Sequence, residues 1–311
     1  MKSLRILAPL FFLFGAVAAG GAPVRIGVLL KGKTAFWAAM EKGVNEAAAK
    51  AGVEVIVKSP RDEMDVAVQI RLLGVLADQN IQALVIAPCS DSLAVPLQAL
   101  ADKGVKIVIV DTPLAGLPDA PFVGTDQKAA GKAAAVLLNL QLADGDEVAF
   151  LRNSQGRGAA NVREAGALAK LIAAHPQIVV HGDIYASSES GLEAQHSELV
   201  LSKYPQVKAI FSSGSPGTMA MLKVLTAHKS AGTIKFVGCG FNLNPAVVAG
   251  LEDGTMTGWI AQLPQETGRK GVESALALVN GQMIPQTIPT EFLVITKDRL
   301  SDPKIQSLLN L

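Results

Sequence analysis

The sequence predicts an α/β protein made of two doubly wound parallel-sheet lobes. Three observations predict it. Short β-branched runs alternate with longer Ala- and Leu-rich segments along the chain. The runs are nearly continuous in apolar residues, which is the pattern of parallel strands covered on both faces. The alternation also restarts after a Pro- and Gly-rich stretch at mid-chain, giving two successive units.

The chain opens MKSLRILAPLFFLFGAVAAGGAP, with two early cations, a short apolar run and small residues containing the A-x-A triplet Ala16-Val17-Ala18. That order is expected of a cleavable secretory signal over residues 1–22, and the apolar run is too short to span a bilayer. The mature chain is then exported, most simply to a bacterial periplasm. Four strands follow: VRIGVLL from Val24, VEVIVK from Val53, IQALVIAP from Ile81 and VKIVIVD from Val105. Between them, a helix from Phe36 to Ala51 ends at Gly52, and one from Asp91 to Lys103 ends at Gly104, both C-cap signals. Asp91 is a candidate cap for the second. TPLAGLPDAPFVGTD marks a crossover near Gly124 to Asp126. The second unit repeats the pattern with EVAFLR from Glu147, IVVHGDI from Ile178, VKAIFSS from Val207 and IKFVGCG from Ile234. A further strand breaks at Pro264 into a surplus helix free to return to the first unit, which leaves the final strand EFLVIT for the second.

Gly27 to Thr34 satisfies G-x-x-x-x-G-K-[ST], the phosphate-cradling pattern. Such a loop needs a complete strand before its first Gly, but Gly27 lies inside the apolar run, which Val28-Leu29-Leu30 continue. The segment therefore reads as a strand ending near Leu30, a short loop, and a helix opening on Phe36-Trp37. The adjacent aromatic pair stands out where aromatics are 5% of residues.

A formal charge of +1 gives no electrostatic case for nucleic acid or an anionic membrane. His175, His181, His196 and His228 share no zinc-like spacing with one another or with the cysteines, so no metal or other cofactor is expected. GSPG at Gly214 to Gly217 is not a nucleophile elbow, and no paired carboxylates are identifiable. The expectation is a binding protein and not an enzyme. Cys89 and Cys239 end strand-like runs in different units; a bond between them would lock any relative motion, and buried free thiols are favoured.

The segment IAQLPQETGRKGVESALALVNGQ, Ile260 to Gln282, resembles the third-hinge segment of type I periplasmic sugar-binding proteins, the ribose-binding kind in particular. VIVDTPL, FVGTDQKAAG, AANVREAG and VGCGFNLNP match the same family in order over nearly all of the mature chain. The resemblance implies two lobes joined by a three-strand hinge, 23–124 plus 263–290 and 125–262 plus 291–311, with ligand between them. It implies a monomer that binds a sugar or polyol and delivers it to the membrane permease of an ABC importer, or alternatively presents it to a sensor kinase or chemoreceptor. It places Thr34, Phe36 and Trp37 on the first-loop ligand positions, where aromatic faces suit the C–H faces of a sugar ring. Asp111 ends the fourth strand and can accept from a vicinal diol. Arg163 matches a second-lobe ligand-binding Arg whose planar fork donates to two oxygens. Asn242 takes a place usually held by Asp, and Gln262 matches the hinge Gln. Thr112, Gly214 and Ser188 depart from the ribose pattern, which has Arg, Asn and an aromatic at these places; Tyr185 is near enough to stand in for the aromatic. Fewer fixed donors point away from ribose and toward another pentose, a hexose or a linear polyol.

Overall fold

A computed structural model describes residues 23–310 apart from 64, 141, 154–157 and 187–190; the expected signal segment and Ser188 lie outside the described residues. The first unit runs β1 (Arg25–Leu29), α1 (Ala35–Ala51), β2 (Glu54–Lys58), α2 (Val66–Ala77), β3 (Ala83–Ile86), α3 (Ala94–Asp102), β4 (Lys106–Val110) and β5 (Phe122–Thr125). The second runs α4 (Gln127–Asn139), β6 (Glu147–Arg152), α5 (Ala159–Ala174), β7 (Val179–Tyr185), α6 (Glu193–Lys203), β8 (Val207–Ser212), α7 (Ser215–Ala227), β9 (Lys235–Gly240), α8 (Pro245–Asp253) and β10 (Gly258–Gln262). Then come α9 (Pro264–Val279), β11 (Thr287–Thr290), β12 (Phe292–Ile295) and α10 (Pro303–Gln306).

The strands form two six-stranded sheets, β11-β5-β4-β3-β1-β2 and β12-β10-β9-β8-β6-β7. All pairs are parallel except β10–β12. The chain passes between lobes three times: at Asp126 between β5 and α4, at Leu263 between β10 and α9, and at Glu291 between β11 and β12. This is the two-lobed α/β architecture the strand pattern predicts.

Burial on both faces accounts for the near-continuous apolar strands. In the first lobe Val28, Val85, Val108 and Val110 pack toward α1 and α9, with Met40, Val44, Val272 and Ala275. Their neighbours Leu29, Leu84, Ile86 and Ile109 pack on the other face, with Leu73 and Leu76 of α2 and Leu97 and Leu100 of α3. Successive residues thus serve opposite layers, as a strand's period of two requires. Gly27 sits within β1, paired to Ile56 of β2 and Leu84 of β3, so no phosphate loop begins there.

Local signals fixed some ends and missed others. Gly52 closes α1 in the left-handed conformation, φ 66°, donating its N–H to the helix's last carbonyls. The helix expected from Asp91 opens instead with a 3-10 turn, and its cap is Ser90, whose hydroxyl accepts from the Ser92 N–H at 3.2 Å. Asp91 accepts from the Ala115 N–H. Strands β5 and β11 carry weak local signals. Each has four residues, and β11 contains Pro289, which a sheet tolerates only where its missing N–H is not needed, as at this edge.

Candidate ligand-binding cleft

A cleft of about 2230 Å³ opens between the lobes at the C-terminal ends of the strands, where open α/β sheets place ligands. Thr34, Phe36, Trp37, Asp111, Arg163 and Gln262 all line it. Asn242 does not: it is half-buried just past β9, and its neighbours Gly240 and Phe241 face the cleft. Side chains alternate on leaving a strand, so a one-residue offset changes which of them meets the cavity.

The first-lobe wall is built on the loop after β1 and the ends of β2 and β4. Thr34 is exposed at the N-cap of α1, with an extended backbone and no capping bond from its hydroxyl, which leaves that group available. Phe36 is half-buried. Trp37 is 3% exposed and packs among core residues, and its indole N–H donates to Glu63 Oε1 at 2.6 Å. The two rings meet edge-on, with centroids 5.0 Å apart. Of the pair, Phe36 therefore offers the larger free face. Gly32 lets this loop close down, because a Cβ there would lie 2.8 Å from Glu63 Cγ and 3.1 Å from Trp37 Cδ1.

Asp111 follows β4 with φ 64°, and the Thr112 N–H donates to the Val110 carbonyl at 2.7 Å across it. A three-residue turn of this kind is strained, and strained backbone concentrates at binding sites. The turn aims the carboxylate at Lys31, whose Nζ lies 3.0 Å from Asp111 Oδ2 and also donates to Thr112 Oγ1 at 2.5 Å. Thr112 Oγ1 donates to Asp111 Oδ2 at 2.8 Å. Lys31 thus supplies a cation beside Asp111 where Thr112 carries none. Glu63 is held above the usual carboxylate range, chiefly by burial, against the opposing pull of the Trp37 N–H and Lys31. Sequence reasoning missed Lys31 and Glu63, since each matters only through partners distant in the chain.

In the second-lobe wall, α4 and α5 touch backbone to backbone: a Cβ on Gly131 would lie 1.8 Å from the Arg163 carbonyl oxygen, and one on Gly166 would lie 2.4 Å from that of Lys128. This contact sets Arg163 beside Gln127 at the start of α4. Arg163 is 4% exposed. It donates from Nε and Nη2 to the Ser213 carbonyl, at 3.2 and 2.5 Å, and from Nη1 to Gln127 Oε1. Gln127 Nε2 donates in turn to Gln262 Oε1 at 2.8 Å. A chain of polar contacts therefore runs from the cleft wall to two lobe crossings, those flanked by Gln127 and by Gln262. Gln127 was not legible as part of the site.

The remaining positions resolve as follows. Gly214 lines the cleft, but the side chain of Asn153 fills the space beside it, with Oδ1 2.2 Å from where a Cβ would stand. Tyr185 is turned to Arg152, which donates Nη1–H to its hydroxyl at 2.6 Å and lies over its ring. Phe241 supplies the second-lobe aromatic instead, meeting Phe36 edge-on at 5.6 Å across the lobes. Both cysteines are free: Cys89 lines the cleft, and burial pushes the Cys239 thiol up to about 11. Among the described residues no cluster of His, Cys, Asp and Glu could hold a metal, and no helix is long and apolar enough to cross a membrane.

Comparison with known proteins places this geometry. The chain is 28% identical over 278 residues to the D-allose-binding periplasmic protein of Escherichia coli (strain K12), covering 84% of this chain and 86% of that one. Its structure is similar, with a TM-score of 0.81 and 28% identity, to an ABC transporter solute binding protein from Agrobacterium vitis bound with alpha-D-tagatopyranose, covering 92% of this chain and 99% of that one. It is also similar, with a TM-score of 0.82 and 25% identity, to a carbohydrate transporter solute binding protein from Agrobacterium radiobacter in complex with D-arabinose, covering 93% and 99%. Residues 26–283 match the family profile described as "Periplasmic binding protein domain", and with two hinged lobes around a shared cleft the chain belongs to that family.

Proposed function

We propose that this protein is a periplasmic receptor that captures a monosaccharide or polyol between its lobes and presents the closed form to the permease of an ABC-type importer. The observation that carries this reading is the convergence, on one inter-lobe cleft, of an aromatic face from Phe36 with the Lys31–Asp111–Thr112 cluster and the Arg163–Gln127–Gln262 chain. Rings and forked polar groups at one place suit a guest with apolar C–H faces and a hydroxylated rim. Relatives whose names include D-allose, tagatopyranose and D-arabinose support the same class of ligand.

In this reading Thr34, Phe36, Trp37, Asp111, Arg163 and Gln262 bind the ligand, with Phe241 as the second-lobe aromatic; Asn242 lies outside the cleft lining. The moving bodies are 23–124 plus 263–290 and 125–262 plus 291–311, and residues 1–22 are removed on export. The cleft volume exceeds the roughly 300–1,000 Å³ of a small-ligand pocket, so the lobes must close further to exclude water. Ligand held on one lobe and then bonded by the other biases that closure.

A thermal-shift screen of the purified protein across pentoses, hexoses and polyols tests the reading. At least one should raise Tm in a concentration-dependent way; saturation to about 100 times Kd is worth about 2.7 kcal/mol. A screen without any shift would remove sugar and polyol capture.

A further inference from the structure

Two charged residues are buried among the described residues, Arg163 and Glu164, each 4% exposed. Glu164 is paired: Arg152 Nε lies 2.6 Å from its Oε2, and Ser213 Oγ donates to its Oε1 at 2.5 Å. Arg163 is not. Its acceptors are a backbone carbonyl and an amide oxygen, both neutral. The three neighbouring side chains, Arg152, Glu164 and Arg163, thus hold two cations against one anion. A buried charge without an opposite charge is costly, and such a charge in a cleft wall is a ligand-recognition feature.

Among the described residues no carboxylate lies within hydrogen-bond reach of the Arg163 guanidinium. Gly240 faces the cleft from the same lobe, but a Cβ there would lie 2.2 Å from the Trp259 ring. Gly214 is blocked by Asn153 in the same way. On the opposite lobe Asp111 is engaged with Lys31, Glu63 with the Trp37 indole N–H, Asp65 with the Val68 N–H, and Asp91 with the Ala115 N–H. Of the five guanidinium N–H groups, three are spent on Ser213 and Gln127, which leaves one on each terminal nitrogen.

We propose that the natural ligand is an acidic sugar, a uronate or aldonate whose carboxylate sits on Arg163. This rests on the reading of the cleft as a sugar site and narrows its substrate class. Charge-assisted bonds to a carboxylate are roughly twice as strong as those to a neutral hydroxyl, and a site built for such a group rejects the analogue lacking it. Lys31, Asp111 and Phe36 remain for the hydroxylated part of the molecule.

The test is calorimetry on matched pairs: D-glucuronate against D-glucose, D-galacturonate against D-galactose, and D-gluconate against D-glucitol. In at least one pair the acid should bind tighter by at least about tenfold. Arg163→Gln should reduce that preference to about twofold or less. Gln127→Glu, which sets a carboxylate against Arg163 from within the protein, should do the same while leaving the cation in place. Should Arg163→Gln fail to fold, the wild-type pairs and Gln127→Glu decide. Neutral members binding as tightly as their acids would overturn the acidic-sugar proposal and leave sugar capture standing, as would an acid preference that survives both substitutions. Absence of binding by every member of every pair would overturn the acidic-sugar proposal and leave sugar capture to the wider thermal-shift screen.

Discussion

Phe36 of the first lobe and Phe241 of the second meet edge-on across the cleft, with centroids 5.6 Å apart and ring planes at 87°. Phe36 stands on α1 of the first lobe and Phe241 just past β9 of the second, so the contact spans the two lobes. The contact ties the two cleft walls together at one point. Edge-to-face pairs contribute about 0.5–1.5 kcal/mol beyond area burial. Phe241→Ala should weaken ligand affinity by about 2- to 10-fold in calorimetry. Combining it with Phe36→Ala should cost less than the sum of the two; strict additivity would show that the rings do not act as a pair.

Lys31 and Asp111 form an ion pair with side chains 12% and 11% exposed, so solvent screens it only in part. Lys31→Met leaves the Asp111 carboxylate without its cation in a strained turn. Urea denaturation should show a loss of roughly 1–3 kcal/mol. Adding Asp111→Asn to that variant should recover part of the loss, because the unpaired charge is then gone. No recovery would mean that Lys31 acts through packing alone.

Glu63 has a pH signature. Its folded-state pKa lies above the ordinary carboxylate value, mainly through burial. The folded protein therefore holds this proton more readily than the unfolded chain. The stability linked to it is fully present below the ordinary carboxylate pKa and is lost as pH rises through the raised value. Glu63→Gln keeps an acceptor for the Trp37 N–H and removes the buried charge. Melting curves from about pH 4 to about pH 8 should show the variant more stable than wild type at the upper end, with the gap closing toward the lower. A constant gap would contradict the assignment.

Gln127 links Arg163 to Gln262. Gln127→Leu leaves a guanidinium N–H and an amide oxygen without partners, a loss of roughly 1–3 kcal/mol in urea denaturation. Since both neighbours line the cleft, ligand affinity should fall with it, and Gln127→Asn should not restore either property because it is one methylene too short. Rescue by Asn would place the role of Gln127 elsewhere.

The fold was legible because strands such as β3 and β4 are buried on both faces and show it as unbroken Val, Ile and Leu. Strand β11 was not legible: TIPT is short, exposed and contains Pro289, and it becomes a strand only because β5 lies beside it. At the site, Phe36, Asp111, Arg163 and Gln262 stand at strand ends or helix starts, where order along the chain fixes position. Asn242 is absent from the cleft lining, since the chain's path past β9 brings Gly240 and Phe241 to the cavity. Lys31, Glu63 and Gln127 matter through partners 80, 26 and 36 residues away respectively, a relation that no local motif carries.

Small-angle X-ray scattering, with and without a saturating sugar or sugar acid identified by thermal shift, tests the central claim most directly. Closure of two lobes over a guest predicts a smaller radius of gyration and a more compact scattering profile when ligand is bound. Identical profiles at a concentration where binding is complete would contradict it.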